Sequence, residues 1–96
     1  MTTKQRAYLK GLAMNIEPAF RIGKSSLTPE FCEGIREILE ARELIKVAVL
    51  NNCADDPKEL SRVLAERTGA EVVQVIGKRI VLYRQSKTQQ KIILPR

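Results

Sequence analysis

The clearest candidate site in the sequence is a short basic loop between an apolar segment and a predicted helix. Residues Gly23–Ser26, here called the GKSS loop, follow the apolar segment Ala19–Ile22. Thr28 and Pro29 come next, and they favour a helix because threonine is a good N-cap and proline fits the first helical position. Exposed backbone amides, the positive end of the helix dipole and a lysine ammonium would then converge, which favours binding of a phosphate group.

The loop does not complete the motif of a nucleotide-hydrolysing P-loop. That motif also ends in Gly-Lys-Ser, but it requires another glycine five positions before the final one, where this chain has Pro18. The sequence contains no histidine, so the commonest general base and metal ligand is missing. Cys32 and Cys53 are too few and too far apart for a zinc site. We therefore expect no catalysis, no cofactor, no bound metal and no small-molecule substrate.

The net charge of +6 is distributed unevenly along the chain. Residues 1–28 carry five Lys/Arg and one acidic residue, and residues 29–71 carry six Lys/Arg and ten acidic residues. Residues 72–96 carry six Lys/Arg and no acidic residue. If the fold brings the two basic ends to one face, that face suits a polyanion such as a nucleic acid. A solubilising surface charge with no partner is the alternative explanation.

Hydrophobic spacing and turn residues predict seven elements in the order α-β-α-β-α-β-β. The helices are predicted at residues 4–15 (N-cap Thr3), 29–42 (N-cap Thr28) and 57–68 (capping box Asp56/Glu59, C-terminal stop Gly69). The strands are predicted at residues 19–22, 44–50, 70–76 and 79–83, the last two joined by a tight turn at Gly77-Lys78. Strands that alternate with helices pair in parallel, and a final hairpin adds an antiparallel edge. The predicted fold is therefore α/β (α+β-like), a mixed four-stranded sheet with packed helices.

We expect one domain over residues 1–84 and a basic C-terminal tail over residues 85–96. The tail is either flexible or leads into a short last strand at Ile92–Leu94. No apolar run approaches the length of a membrane span, and the N-terminus lacks the pattern of a secretory signal. The expected location is cytoplasmic, with no membrane partner.

Two motifs together resemble the CRM domain, the chloroplast RNA splicing and ribosome maturation family. They are Ile22-Gly23-Lys24-x-x-Leu27-Thr28 and Ile76-Gly77-Lys78-Arg79-Ile80-Val81-Leu82-Tyr83-Arg84, with the strand Val47–Leu50 between them. The chain is similar to the single-domain bacterial YhbY type over nearly its whole length.

The resemblance implies an RNA-binding α/β domain with a fold similar to the C-terminal domain of bacterial translation initiation factor three. It also implies association with rRNA in precursors of the large ribosomal subunit. The family loop is Gly-x-x-Gly, like the loop by which KH domains clamp an RNA backbone. Ser26 replaces the second glycine here, and serine adopts a positive φ less readily than glycine.

The expected function is sequence-tolerant RNA binding during ribosome assembly, with contacts to the phosphate backbone. The expected RNA-binding residues are Gly23, Lys24, Ser25, Ser26, Arg21, Arg6, Lys10, Lys78, Arg79, Arg84 and Lys87. Gly23 is expected to turn the backbone toward the phosphates, and Ser25 and Ser26 to offer N–H and O–H donors. One alternative is a protein-interaction module that docks on ribosomal proteins or an assembly GTPase through the acidic helix 29–42. DNA binding is a third possibility, weakened by the lack of a groove-reading helix.

Overall fold

A computed structural model describes the chain from Met1 to Arg96 and has the predicted element order. The helices are α1 (Thr3–Ala13), α2 (Pro29–Arg42) and α3 (Pro57–Thr68), and the strands are β1 (Pro18–Ile22), β2 (Leu44–Val49), β3 (Glu71–Ile76) and β4 (Arg79–Tyr83). The predicted fold class, three helices on a mixed four-stranded sheet, is confirmed. None of the helices is both long and apolar enough to cross a membrane.

The sheet has the strand order β1-β2-β4-β3. β1 runs parallel to β2, whereas β4 is antiparallel to both of its neighbours. The carboxyl ends of β1 and β2 and the β3–β4 turn therefore lie at the same edge, here called the loop end of the sheet. The GKSS loop, the segment 50–56 and the Gly77-Lys78 turn all project from this end.

Helices cover both faces of the sheet. Side chains alternate along each strand, so Ile45 and Val47 pack in the larger core beneath α2 and α3, while Leu44 packs beneath α1. We call these two sides the α2/α3 face and the α1 face. Helix α1 packs across β2, β4 and β3, and the Arg21 side chain of β1 stays exposed.

The first helix differs from its prediction at both ends. Thr2, not Thr3, is the N-cap: its side chain accepts a hydrogen bond from the Gln5 amide at 3.1 Å. The Gln5 side chain in turn accepts from the Thr2 amide at 3.0 Å, which completes a capping box that a cap at Thr3 would lack. The helix ends at Ala13 rather than at residue 15. The predicted strand ends are within one residue of those observed.

The other predicted caps occur, with one difference. Thr28 Oγ1 accepts from the Phe31 amide at 3.0 Å, and Asp56 Oδ2 accepts from the Glu59 amide at 3.3 Å. The Glu59 carboxylate pairs with Arg62 instead of bonding back to the cap, so the predicted capping box at α3 is only half formed. Gly77 has φ = 54°, as a tight turn with glycine in its first central position requires.

Residues 84–96 form no strand, so the possible last strand at Ile92–Leu94 is not present. The segment is irregular, and two carboxylates at the end of α2 hold it. The fully buried Glu43 accepts from the backbone amides of Ser86, Lys91 and Ile92, each at 2.7 Å. These three backbone amides have side-chain acceptors, so they do not need the carbonyls of a neighbouring strand as partners.

Glu40 is the second anchor of the tail. It accepts from the Ser86 hydroxyl at 2.7 Å, from the Thr88 hydroxyl at 2.8 Å and from the Lys87 and Thr88 amides. Beyond these anchors, Ile92 and Leu94 pack against the core under α1. The tail is therefore docked through polar contacts at one end and apolar contacts at the other.

Candidate nucleic-acid interface

The GKSS loop is a single turn that leaves backbone amides without partners. The Ser26 amide donates to the Gly23 carbonyl at 3.0 Å, so Lys24 and Ser25 occupy the exposed centre of the turn. The amides of Lys24, Ser25 and Leu27 donate to no acceptor in the protein. They lie just before the N-terminus of α2, whose dipole favours an anion. The loop can therefore offer amide donors and one ammonium to a phosphate.

The unusual backbone angle in this loop is at Ser26 and not at Gly23. Ser26 has φ = 54°, whereas Gly23 is absent from the residues with positive φ. A Cβ placed on Gly23 would lie 3.6 Å from Asn52 Oδ1 and 3.7 Å from Leu50 Cδ1, which are ordinary contacts. Gly23 therefore enters the loop without a glycine-only conformation, and its expected role of turning the backbone toward the phosphates stays a prediction. The left-handed residue sits where the related family has its second glycine.

The Ser26 side chain is also engaged within the protein. Its hydroxyl donates to Asp55 Oδ2 at 2.5 Å, and its amide closes the turn. The Ser26 N–H and O–H groups, which were expected to be donors to a phosphate, therefore both have partners within the protein. Asp55, Asp56 and Glu59 line the groove beside the loop together with Ser25 and Ser26. An anion therefore approaches the loop more favourably from the side away from this acidic groove.

A row of positive charge crosses the α1 face near the loop end. Arg21 of β1 pairs with Ala48 of β2, and Ala48 pairs with Arg79 of β4. The two arginines lie two strand spacings apart, roughly 10 Å between Cα atoms. Ile22 belongs to the core on the α2/α3 face, so the neighbouring Arg21 points to the α1 face. Both arginines are exposed.

Two lysines extend this row. Lys46 lies two residues before Ala48 on the same face of β2, and Lys10 comes from α1. Lys10, Lys46 and Arg79 line one cavity between α1 and the sheet. The N-terminal helix and the C-terminal hairpin thus bring their charges to one face, as the charge distribution suggests. We call Lys10, Arg21, Lys46 and Arg79 the basic cluster.

Lys78 joins the GKSS loop at the loop end of the sheet. Its ammonium donates to Asn51 Oδ1 at 2.8 Å, and the adjacent Asn52 is the side chain nearest to Gly23. The Leu50 amide donates to the Ile22 carbonyl at 2.8 Å, which ties the segment 50–56 to the base of the loop. The hairpin tip therefore lies across one short segment from the GKSS loop.

Three of the expected contact residues lie elsewhere or are engaged. The Arg6 guanidinium is half-buried and donates to the carbonyls of Val72 and Val73. Arg84 donates to the Thr68 carbonyl at 3.0 Å and also bonds to the Arg36 carbonyl and Glu40. Both side chains satisfy internal acceptors, which disfavours the RNA contacts predicted for them.

Lys87 is the third of these residues. Its amide donates to Glu40, eleven residues into α2 from Pro29, which places it about 16 Å along the helix from the end that carries the GKSS loop. The tail therefore does not extend the surface around the loop.

Lys46 is the cluster residue that the sequence analysis missed. A lysine within the apolar segment Leu44–Val49 appeared to be part of a buried strand. Its position relative to Leu44 and Ala48 follows the period of two, so it marks a place where the α1 face is only partly covered. That single interruption is the signal that could have identified it.

Comparisons with known proteins identify the family of the chain. The family model described as CRS1 / YhbY (CRM) domain matches residues 1–84. A Bacillus subtilis protein named "Probable RNA-binding protein YqeI" is 41% identical over 95 residues, covering 99% of both chains. A Haemophilus influenzae protein named "RNA-binding protein" is 38% identical over 96 residues and covers all of this chain and 96% of that one.

A solved structure shares the fold as well as the sequence. The solution structure of a Staphylococcus aureus protein superposes with a TM-score of 0.82 at 52% identity and covers 99% of each chain. The chain belongs to the CRS1 / YhbY (CRM) domain family.

Proposed function

We propose that this protein binds RNA through the phosphate backbone, with the basic cluster and the GKSS loop as the contact surface. The observation that carries the proposal is the row Arg21–Ala48–Arg79, which places two exposed arginines in register on one sheet face beside Lys10 and Lys46. The unpaired loop amides lie at the adjacent end of the sheet. Relatives named as RNA-binding proteins support the same class of ligand.

The scarcity of exposed rings favours backbone contacts over base stacking. Phe20 and Phe31 pack edge-to-face with ring centroids 5.5 Å apart, and Tyr83 is buried. Only Tyr8 exposes an aromatic ring appreciably, at 43%. Binding dominated by phosphate contacts is tolerant of sequence and weakens steeply with salt.

We further propose that the RNA is rRNA in precursors of the large ribosomal subunit, in the cytoplasm, and that the protein binds it without catalysis. The resemblance to the ribosome maturation family supports this assignment. Sucrose-gradient sedimentation of a native lysate, with and without a high-salt wash, tests it. Comigration with large-subunit precursors that is lost at high salt supports the proposal. A protein found only at the top of the low-salt gradient contradicts it.

The protein-docking alternative has a separate test on the outer face of α2. Glu33 is paired with Arg36, and Glu40 is occupied by the tail, so fewer acids are free on this face than the sequence suggests. Charge reversal at Glu33 and Glu37 would abolish particle association but spare binding to naked RNA if docking on protein were the main contact. Under the RNA proposal, both activities survive this reversal.

A further inference from the structure

A cavity of about 140 Å³ opens within the basic cluster, between the C-terminal half of α1 and the α1 face of the sheet. Its apolar lining comes from Ala13, Met14, Ile76 and Val81, and its polar lining comes from Lys10, Lys46, Gln74 and Arg79. Two of the apolar side chains are unusually exposed, Met14 at 81% and Ile76 at 61%. Exposed apolar side chains next to three cations suit an occupant that is both apolar and anionic.

The cavity has the size of one six-membered ring. An engineered protein cavity of about 150 Å³ holds a benzene molecule, so the volume here fits a pyrimidine ring more closely than the fused rings of a purine. The lysines and the arginine can reach the phosphates on either side of such a base. A nucleotide therefore satisfies both the apolar walls and the charge of this site.

A β-bulge supplies a polar group for the edge of the base. The β3–β4 register shifts between Val72 and Gln74, so Val73 packs beneath α1 while Gln74 enters the cavity lining. Arg6 donates to the Val72 and Val73 carbonyls and so fixes the bulge. The Gln74 side chain has both a donor and an acceptor, as the edge of a pyrimidine requires.

We propose that this cavity takes one unpaired pyrimidine nucleotide of the bound RNA, with its ring against Met14 and Ile76 and its phosphates on the basic cluster. The inference rests on the proposed RNA binding and adds a preference to it. Bases must be unstacked to enter a pocket, so the protein should favour single strands with pyrimidines over purine strands and over duplex.

The test compares matched apolar-to-serine substitutions. Fluorescence anisotropy measures the affinity of each variant for oligouridylate, oligoadenylate and duplex RNA of one length. Ile76→Ser removes a wall of the cavity, and Met14→Ser removes the other exposed wall. Ile93→Ser is the control because Ile93 is 79% exposed on the tail and does not line the cavity. All three residues are at least 61% exposed, so the substitutions leave the core intact.

Wild-type protein should bind oligouridylate about fivefold tighter than oligoadenylate, a modest ratio for an open pocket that senses one ring. Ile76→Ser and Met14→Ser should each lower that ratio toward one, with unchanged duplex affinity and an unchanged salt slope, and Ile93→Ser should change nothing. Equal affinities of the wild type for the two strands, or cavity variants that behave like Ile93→Ser, would overturn the pocket while leaving RNA binding intact. No salt-dependent binding of any RNA would instead overturn the proposed function.

Discussion

Arg21 and Arg79 lie on opposite sides of Ala48 in one row of the sheet, each in register with it. Their spacing is set by two hydrogen-bonded strand pairs and not by a flexible loop. Ala48 is buried and small, so nothing between the two guanidinium groups projects toward a ligand. The register therefore fixes the spacing of the two arginine Cα atoms, which keeps both side chains within reach of one polyanion.

The loop residue Ser26 should be conformationally strained. Two substitutions separate the effect of its positive φ from that of its hydrogen bond to Asp55. Ser26→Ala keeps a Cβ at φ = 54° and loses the hydrogen bond to Asp55, so it should be destabilised. Ser26→Gly loses the same bond but relieves the left-handed strain, which should make it about 1 kcal/mol more stable than the alanine variant. Urea unfolding of the two variants measures the difference directly. Equal stability would contradict the positive φ.

Arg84 should be a structural residue despite its place in a basic motif. Arg84→Ala removes the donor to the Thr68 carbonyl and a second donor to the Arg36 carbonyl, and it breaks the pair with Glu40, so it should cost about 1–3 kcal/mol in unfolding free energy. RNA affinity of the folded variant should be unchanged. Arg42→Ala, at an exposed arginine with no side-chain partner, is the matched control. Reduced RNA affinity with normal stability would show that Arg84 binds RNA instead.

The tail should detach on acidification. Hydrogen bonds from the Ser86 and Thr88 side chains, with the Lys87 amide, lower the pKa of Glu40 from 4.5 to about 2. Burial alone would raise the pKa of Glu43, but three backbone amides and the charge of Lys91 outweigh it and lower the pKa. Because the pKa of each carboxylate is lower in the folded protein than in the unfolded chain, its ionised form stabilises the docked tail at pH values above the unfolded pKa. This stabilisation is lost as the pH falls through the pKa of the folded protein.

Amide hydrogen exchange or NMR of residues 86–92 measures this transition. Protection should be full above about pH 5 and should fall between pH 4.5 and about 2. Glu37→Gln, on the same helix but without contact to the tail, should leave the profile unchanged. Tail amides that exchange freely at neutral pH would contradict the docked conformation.

The element order follows from local signals in the sequence, but several site details do not. Thr28, Asp56 and Gly69 mark helix ends because their preferences are local, and the caps form as predicted. The roles of Arg6 and Arg84 depend on carbonyls 66 and 16 residues away, respectively. The spacing of hydrophobic residues does not show that an arginine side chain donates to the carbonyls of a β-bulge or of a helix end. The position of Lys46 on the α1 face could have been predicted from the sequence, since this lysine interrupts an apolar strand.

Ser26 shows a second limit of sequence reasoning. Glycine is the usual residue for a left-handed conformation, so residue type alone favours Gly23, whereas the resemblance to a Gly-x-x-Gly loop indicates position 26. The turn instead requires it three residues later, where the chain has serine and compensates with the bond to Asp55. Which residue of a loop is left-handed depends on how both flanking elements are oriented.

The most direct test of the account is the salt dependence of RNA binding by Arg21→Ala and Arg79→Ala, measured by anisotropy on one single-stranded RNA. Each substitution should reduce the slope of log affinity against log salt by about one, because each removes one phosphate contact. The control Arg42→Ala, at the far end of α2, should retain the wild-type slope. A wild-type slope in both row variants, with their folds intact, would show that the Arg21–Ala48–Arg79 row does not contact the RNA backbone.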